Sequence, residues 1–119
     1  MVWLIVHELG IAESALELAL AQAQKAGAVR VDQIVLRVGA LSGVDAEALR
    51  FAFTAILPGT PAEGALLQID PVPAVAYCPD CRQDFPLAEN FFMECPTCGR
   101  FNAVLKQGRE LDLVRLEVT

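Results

Sequence analysis

The chain has 119 residues, 55% of which are hydrophobic, and a formal net charge of −6 at pH 7. That length allows one modest hydrophobic core and a small additional lobe, and no uncharged apolar run reaches the roughly 18 residues that a membrane span needs. The negative charge disfavours a nucleic-acid partner, because a polyanion is repelled at long range.

The first 26 residues are predicted to form two elements. Residues 1–7 are apolar and rich in β-branched side chains, which favours a short strand or an extended arm. From Leu9 to Ala26 the hydrophobic residues follow the period of an amphipathic helix. Glu8 and Glu13 would lie near the N-terminus of that helix, where negative charge is favourable. Its apolar face is expected to carry Ile11, Ala15, Leu18 and Ala19, with Leu16, Leu20 and Ala23 alongside.

A strand, a second helix and a second strand are predicted next. Residues 29–39 alternate between apolar and polar side chains, as a half-buried strand requires. The covered face of this strand should carry Ile34, Leu36 and Val38. A second helix follows from Asp45, a good N-cap residue, and residues 64–70 form the next strand. The buried stripe of the second helix should contain Leu49, Ala52, Phe53 and Ile56.

The remainder of the chain predicts a connector and two further strands. Pro71-Val72-Pro73 is interpreted as an extended connector, because proline has no backbone N–H to donate within a sheet. Residues 101–107 predict a short strand, and residues 110–118 predict a last one. The apolar residues of that last strand change parity at Leu113–Val114. A β-bulge at this point, or a strand covered on both faces, would explain the change.

All four cysteines lie in two C-x2-C loops, one with Cys78 and Cys81 and the other with Cys95 and Cys98. Two such loops can turn four thiolates toward one point and complete a tetrahedron around Zn²⁺. Because such a site has no open coordination position, the zinc is expected to be structural rather than catalytic.

Three other uses of these cysteines are open. Two disulfides would suit a small secreted chain, but the first six residues lack the basic region and cleavage site of a signal peptide. A redox pair needs only one C-x2-C loop, and iron accepts the same four sulfurs as zinc. Cysteines reserved for a metal fit a reducing compartment, so we expect a cytoplasmic protein.

Together these elements predict an α+β fold, with a small three-stranded sheet, two helices and an inserted four-cysteine zinc-ribbon lobe. The last predicted strand lies beyond the cysteines, so the chain must leave the sheet, form the inserted lobe and return. We expect an α/β lobe from residues 1–73, completed by a C-terminal strand within residues 106–119. Residues 74–105 would form the zinc-binding lobe, which should unfold without its metal.

No catalytic motif is found in the sequence, so we expect a protein that is not an enzyme. It contains no G-x-S-x-G nucleophile elbow, no phosphate-binding loop and no G-x-G-x-x-G fingerprint. Once the cysteines are assigned to a metal, the single histidine, His7, remains for chemistry. Its neutral imidazole would suit Ni²⁺, Cu²⁺ or Zn²⁺, and Glu8 beside it could add a carboxylate. The residues alone leave His7 either as a metal ligand or as a packed or surface side chain.

Short motifs along nearly the whole chain resemble one known family. His7-Glu8-Leu9, followed by Ile11-Ala12-Glu13-Ser14, is similar to the Met-His-Glu start of the hydrogenase/urease nickel-incorporation proteins, the HypA family. Further matches, in the same order along the chain, are Leu36-Arg37-Val38-Gly39, Glu63-Gly64-Ala65, Cys78-Pro79-Asp80-Cys81, Cys95-Pro96-Thr97-Cys98 and Gly108-Arg109-Glu110-Leu111.

The resemblance implies a nickel metallochaperone that has a structural zinc lobe and a separate nickel site at its N-terminus. It maps the nickel site onto His7, with neighbouring backbone nitrogens and a contribution from Glu8. The implied zinc ligands are Cys78, Cys81, Cys95 and Cys98. The implied partners are a nickel-delivery GTPase and a [NiFe]-hydrogenase large-subunit precursor or, in some organisms, urease maturation proteins. Both a monomer and a dimer are compatible with these motifs.

The chain departs from the family pattern at its start, where six residues precede His7. In the family this histidine follows the initiator methionine, and the free terminal amine can help to bind nickel. Here an interior peptide nitrogen replaces that amine. Alternatively, translation starts at the codon of Val6, which would restore Met-His-Glu-Leu, and the intact mass of the native protein distinguishes the two.

A competing hypothesis from another functional class is a zinc-ribbon interaction adaptor without a transferable metal. It explains the four cysteines equally well but gives His7 no role. Nickel titration of the zinc-loaded protein separates the two hypotheses.

Overall fold

The computed structural model describes residues 2–87 and 92–119, and it describes side chains from His7 onward. Its helices are α1 (Val2–Lys25) and α2 (Ala46–Ile56), and its strands are β1 (Val31–Gly39), β2 (Leu66–Val72), β3 (Val75–Cys78), β4 (Gln83–Pro86), β5 (Val104–Gln107) and β6 (Leu111–Val118). The strands form two three-stranded sheets, in the orders β2-β1-β6 and β4-β3-β5. The predicted α+β fold class is therefore confirmed.

We call α1, α2 and the sheet β2-β1-β6 the helical lobe. The sheet β4-β3-β5 and the two C-x2-C loops form the cysteine lobe. In the helical lobe, β1 lies in the middle, parallel to β2 and antiparallel to β6. Strand β6 follows the cysteine lobe in the chain, so the sheet is completed only after the chain returns. In the described part of the chain, no helix has the length and apolarity needed to cross a membrane.

Helix α1 begins much earlier than the sequence predicts. It starts at Val2, so the strand or arm predicted for residues 1–7 is wrong for residues 2–7, while Met1 lies outside the described residues. No proline or turn sequence separates these residues from the amphipathic run, and the intrinsic β preference of valine and isoleucine is too weak to stop a helix. As a consequence Glu8 lies inside the helix, and the first turn contains no acidic residue.

The buried face of α1 is also rotated from the predicted one. Leu18, predicted to be covered, is 47% exposed, and Ile11 and Ala15 are only half-buried. Three of the four buried core positions of α1 are alanines, whose small side chains let the helix approach α2 and the sheet closely. These core positions are Ala12, Leu16, Ala19 and Ala23.

Helix α2 begins where the sequence predicts, directly after Asp45. The Asp45 side chain accepts a hydrogen bond of 3.0 Å from the Ala48 backbone N–H, which makes Asp45 the N-cap. Three of its four predicted core residues are buried and Ile56 is partly buried. The buried three are Leu49, Ala52 and Phe53.

The strands of the helical lobe match the predicted pattern with shifted ends, since β1 begins at Val31 instead of residue 29 and β2 at Leu66 instead of residue 64. The β1 residues Ile34, Leu36 and Val38 are buried in the core, as expected. Between β1 and β6 the pairing shifts at Val114, which has no partner on β1, so the predicted bulge is confirmed. Strand β2 continues to Val72 instead of ending at residue 70, so the connector predicted for residues 71–73 is wrong for Pro71 and Val72. Pro71 is tolerated because β2 is an edge strand.

The end of β1 and the loop after it bond to residues 108–110, the segment that links the cysteine lobe to β6. The Gly39 N–H donates to the Glu110 carbonyl at 2.7 Å, and the Leu41 N–H donates to the Gly108 carbonyl at 2.6 Å. A Cβ on Gly39 would collide with the backbone of Gly108, so only glycine fits this close approach. The loop then continues to Asp45, and thus connects the lobe junction to the N-terminus of α2.

Candidate metal sites

The four predicted cysteine ligands come together in the cysteine lobe. Their sulfur atoms all lie within 4.8 Å of one another, with Sγ–Sγ distances of 3.7 Å for Cys78–Cys98 and 3.9 Å for Cys81–Cys95. A tetrahedron with a Zn–S bond of about 2.3 Å has an edge of about 3.8 Å, so these distances suit one tetrahedral ion. All four cysteines are free, and the disulfide alternative does not hold in this structure.

The two C-x2-C loops have the same backbone geometry. The Arg82 N–H donates to the Cys78 carbonyl and the Gly99 N–H donates to the Cys95 carbonyl, both at 2.8 Å. Both donor residues have positive φ, 56° for Arg82 and 75° for Gly99. Glycine adopts this conformation without strain, whereas arginine adopts it at a cost. The repeated turn is what points each pair of sulfurs toward the same centre.

Without a cation, the four thiols cannot all ionise near neutral pH. Burial, followed by contacts with the other three sulfurs, raises the pKa of the Cys81 thiol to about 12. A hydrogen bond from the Cys98 backbone N–H acts against burial and lowers the pKa of the Cys95 thiol to about 6. At Cys98 the Arg100 backbone N–H acts downward, but burial and the Cys78 and Cys95 thiols leave its pKa raised. A divalent ion is therefore needed to hold four thiolates at this point.

Two of the basic residues beside the cysteine loops, Arg100 and Lys106, contact acidic ones. Arg100 lies 3.5 Å from Asp80, and the Lys106 ammonium lies 2.9 Å from Asp84. Asn102 also donates to Asp80 at 2.8 Å, which holds the first loop against the segment that follows the second. Because these two cations are paired with carboxylates, they leave Arg82 as an isolated charge rather than part of a basic patch for a phosphate backbone.

The second candidate site lies on α1 in the helical lobe. The Nδ1 atom of His7 is 2.7 Å from Oε1 of Glu8. The His7 side chain is 47% exposed, whereas the Glu8 side chain is 0% exposed. Glu8 is the only charged or polar residue that is fully buried within the described ranges. Its second oxygen, Oε2, accepts a hydrogen bond of 3.1 Å from the Asp45 backbone N–H.

An open groove begins at His7 and runs between α1 and β6. It has a volume of about 480 Å³, and its walls include Leu18, Leu36 and Leu111. A metal ion could therefore reach the imidazole from this side. Within residues 2–87 and 92–119, the four cysteines are the only cluster of three or more His, Cys, Asp or Glu side chains that could hold an ion. The His7 site thus offers one imidazole beside a buried carboxylate, rather than a closed cage.

The sequence predicts His7 and Glu8 as site residues but gives no sign of the contact between Glu8 and Asp45. Asp45 was recognised as an N-cap, yet its backbone N–H also anchors the Glu8 carboxylate. The available signal was helical spacing, because Glu8 lies three residues before Ile11 and four before Ala12, on the apolar face of the helix. The amide that accompanies this burial lies 37 positions later in the chain, which periodicity does not reveal.

The family model described as "Hydrogenase/urease nickel incorporation, metallochaperone, hypA" matches residues 6–118. The hydrogenase maturation factor HypA of Chloroflexus aurantiacus is 45% identical over 112 residues, which cover 94% of this chain and 98% of that protein. The factor of the same name from Picosynechococcus is 39% identical, over 95% of this chain and 99% of its own.

Two solved structures share the fold along almost the entire chain. The solution structure of the Ni metallochaperone HypA from Helicobacter pylori has a TM-score of 0.66 and 26% identity, covering 93% of this chain and 96% of that one. A second solution structure of a HypA protein has a TM-score of 0.71 and 25% identity, covering 96% of this chain and 97% of that one. From its matched length and its curated relatives, this chain belongs to the HypA family of hydrogenase and urease nickel-incorporation metallochaperones.

Proposed function

We propose that this protein carries nickel for the maturation of [NiFe]-hydrogenase, binding Ni(II) near His7 and Glu8. The observation that carries the proposal is the half-exposed imidazole of His7, which contacts a buried carboxylate and opens onto a groove. An imidazole nitrogen is a suitable ligand for nickel, and an exposed site with few ligands can release its ion to a recipient. Release is what distinguishes a carrier from a storage site.

The proposed ion of the cysteine lobe is zinc, with Cys78, Cys81, Cys95 and Cys98 as its ligands. The sulfur spacing suits a structural zinc that is retained throughout the cycle, and among the described residues the cluster contains only sulfur ligands. The chain would then act as two domains. Residues 1–73 with 106–119 would bind nickel, and residues 74–105 would bind zinc.

The proposed partners are a nickel-delivery GTPase and the hydrogenase large-subunit precursor, both reached in the cytoplasm. Family membership supports a place in the maturation machinery. The protein itself would not be an enzyme, because the chemistry it performs is the binding and release of an ion.

Nickel titration of the zinc-loaded protein tests this function. We expect His7→Ala to abolish nickel binding while the zinc content and the fold are unchanged. Glu13→Ala, which removes an exposed carboxylate from the same helix, is the matched control and should bind nickel like the wild type. Undiminished nickel binding by His7→Ala would reject the site. A wild-type protein that takes up no nickel would instead favour a zinc-ribbon interaction adaptor.

A further inference from the structure

The four cysteines of the cysteine lobe differ in their exposure to solvent. Cys78 is 0% exposed and Cys95 is 3% exposed, whereas Cys81 is half-buried. Cys98 is exposed and lies in the turn of the second C-x2-C loop. A cysteine sulfur is oxidised only where the oxidant can reach it, so exposure ranks these residues by their susceptibility. Cys98 is the first of the four in this ranking.

An open cavity beside the second loop gives access to the same residue. The cavity has a volume of about 620 Å³, and both Cys95 and Cys98 line it. Phe85 and Phe92 also line it, so part of its wall is apolar. A small uncharged oxidant such as hydrogen peroxide fits this space. It can therefore meet Cys98 while the lobe stays folded.

The thiol that would react with an oxidised Cys98 is already beside it. The Sγ atom of Cys78 lies 3.7 Å from Sγ of Cys98, across the two loops, and Cys78 is held in place as the last residue of β3. Cys95 is less suited to this role, because its sulfur already accepts hydrogen bonds from the backbone N–H groups of Thr97 and Cys98. A redox-sensitive cysteine often lies next to a second cysteine that resolves its oxidised form.

We propose that Cys98 is an oxidation site, at which a hydroperoxide converts the four-sulfur cluster to a Cys78–Cys98 disulfide that no longer holds a metal ion. This proposal rests on the zinc that is proposed for the cluster. It gives the cysteine lobe a response to oxidants in addition to its structural role.

The reaction balances with a hydroperoxide as the oxidant. The Cys98 thiolate attacks one oxygen of hydrogen peroxide, so that an S–O bond forms, the O–O bond breaks and hydroxide leaves. The product is a sulfenic acid at Cys98. The Cys78 thiolate then attacks the Cys98 sulfur, so that an S–S bond forms, the S–O bond breaks and a second hydroxide leaves. The two thiolates lose two electrons, the peroxide gains them, and solvent protonates both hydroxides to water.

The disulfide removes two of the four ligands from the cluster. Cys81 and Cys95 alone cannot complete a tetrahedral site, so the zinc is released and the cysteine lobe loses its fold. The helical lobe keeps its fold, because its core contains none of the cysteines. A disulfide is reversible, unlike a sulfinic acid, so a thiol reductant with added zinc should restore the cysteine lobe.

Peroxide treatment of the zinc-loaded protein, followed by peptide mapping, tests this proposal. Trypsin cuts after Arg82 and after Arg100, so it places the two cysteines of the first loop on one peptide and those of the second loop on the next. A disulfide between the loops joins these peptides, whereas a disulfide within a loop does not. We expect the joined pair, with Cys78 linked to Cys98, and release of zinc in parallel. A reagent that traps sulfenic acids should label Cys98.

Two histidine variants separate the exposed thiolate from the ability to bind zinc. Three cysteines and one histidine also form a structural zinc site, so Cys98→His should retain its zinc. Because this variant lacks the exposed thiolate, we expect peroxide to release its zinc far more slowly than that of the wild type. Cys81→His is the matched control, because it changes the half-buried ligand and keeps Cys98. Its zinc should be released as readily as that of the wild type.

Several results would overturn the oxidation site: zinc retained by the wild type in peroxide, a sulfenic acid at Cys81, a disulfide within one loop, or equal zinc release from the two histidine variants. The wild-type peptide map decides between the disulfides even if a histidine variant does not fold. A protein purified without zinc would reject the zinc proposed for the cluster and this proposal with it. Zinc content before treatment therefore distinguishes the failures of the two proposals.

Discussion

Replacement of one metal ligand in the cysteine lobe should unfold that lobe and leave the helical lobe intact. Cys95→Ser removes a sulfur that is only 3% exposed and substitutes a hydroxyl that does not ionise near neutral pH. The remaining three cysteines cannot complete a closed four-sulfur site. We therefore expect the variant to lose the zinc proposed for this site.

The expected size of the effect follows from the small core of this lobe. Its buried cluster consists of Ala76, Cys78, Phe85 and Cys95, so two of the four members are themselves proposed ligands. Burial of a phenylalanine contributes about 1.5–3 kcal/mol, whereas a structural zinc contributes about 10–16 kcal/mol. Without zinc, the remaining apolar contacts cannot offset the conformational entropy of the segment.

The assay combines zinc content with amide hydrogen exchange resolved by residue. In Cys95→Ser we expect β3 and β5 to lose protection while β1 and α1 keep theirs, because the core of the helical lobe contains none of the cysteines. Asp80→Ala is the matched control, since it removes only partly exposed contacts and should cost less than about 1 kcal/mol. Full zinc content with wild-type protection in Cys95→Ser, or simultaneous loss of both lobes, would refute this reasoning.

Three further predictions follow from the geometry. Asp45→Ala should reduce the free energy of unfolding of the helical lobe by about 0.5–2 kcal/mol through loss of the N-cap, and an unchanged denaturation midpoint would contradict it. Gly39→Ala should prevent stable joining of the lobes and yield little folded protein. Gly10→Ala is the control, because the new Cβ has open space around it and the change should be neutral or stabilise by up to about 1 kcal/mol. Equal melting temperatures for Gly39→Ala and Gly10→Ala would contradict the close approach of Gly39 to Gly108. An ordinary cysteine thiol is protonated at neutral pH, and in the folded lobe the pKa values of Cys81 and Cys98 are raised further, so binding of zinc must release protons to the solvent. Zinc affinity should therefore rise with pH, and calorimetry in two buffers should detect proton release, whose absence would contradict thiolate ligation of the ion.

The sequence correctly predicted the features that depend on residues close together in the chain. The spacing of the cysteines predicted one four-sulfur cluster, because two C-x2-C loops leave few other geometries. The N-cap at Asp45 and the bulge at Val114 could likewise be predicted, since the first depends on neighbouring residues and the second on the alternation of apolar and polar residues within one strand. The inserted position of the cysteine lobe followed from the apolar strand that lies beyond it.

The errors have a common physical origin in contacts between distant segments. The N-terminal strand or arm was wrong because side-chain composition over six or seven residues carries little information when a longer helix can extend through them. The α1 core face was misplaced because the position of α2 and the sheet decides which side is covered. The burial of Glu8 also depends on the amide of Asp45 in another element.

The central claim is that one ion is retained among sulfurs while another is carried reversibly at His7. Native mass spectrometry of the nickel-treated, zinc-loaded protein, before and after a mild chelator, tests it directly. The account predicts one zinc and one nickel per chain before chelation, and one zinc alone afterwards. Loss of both ions together, or displacement of zinc by nickel with a single ion per chain, would contradict it.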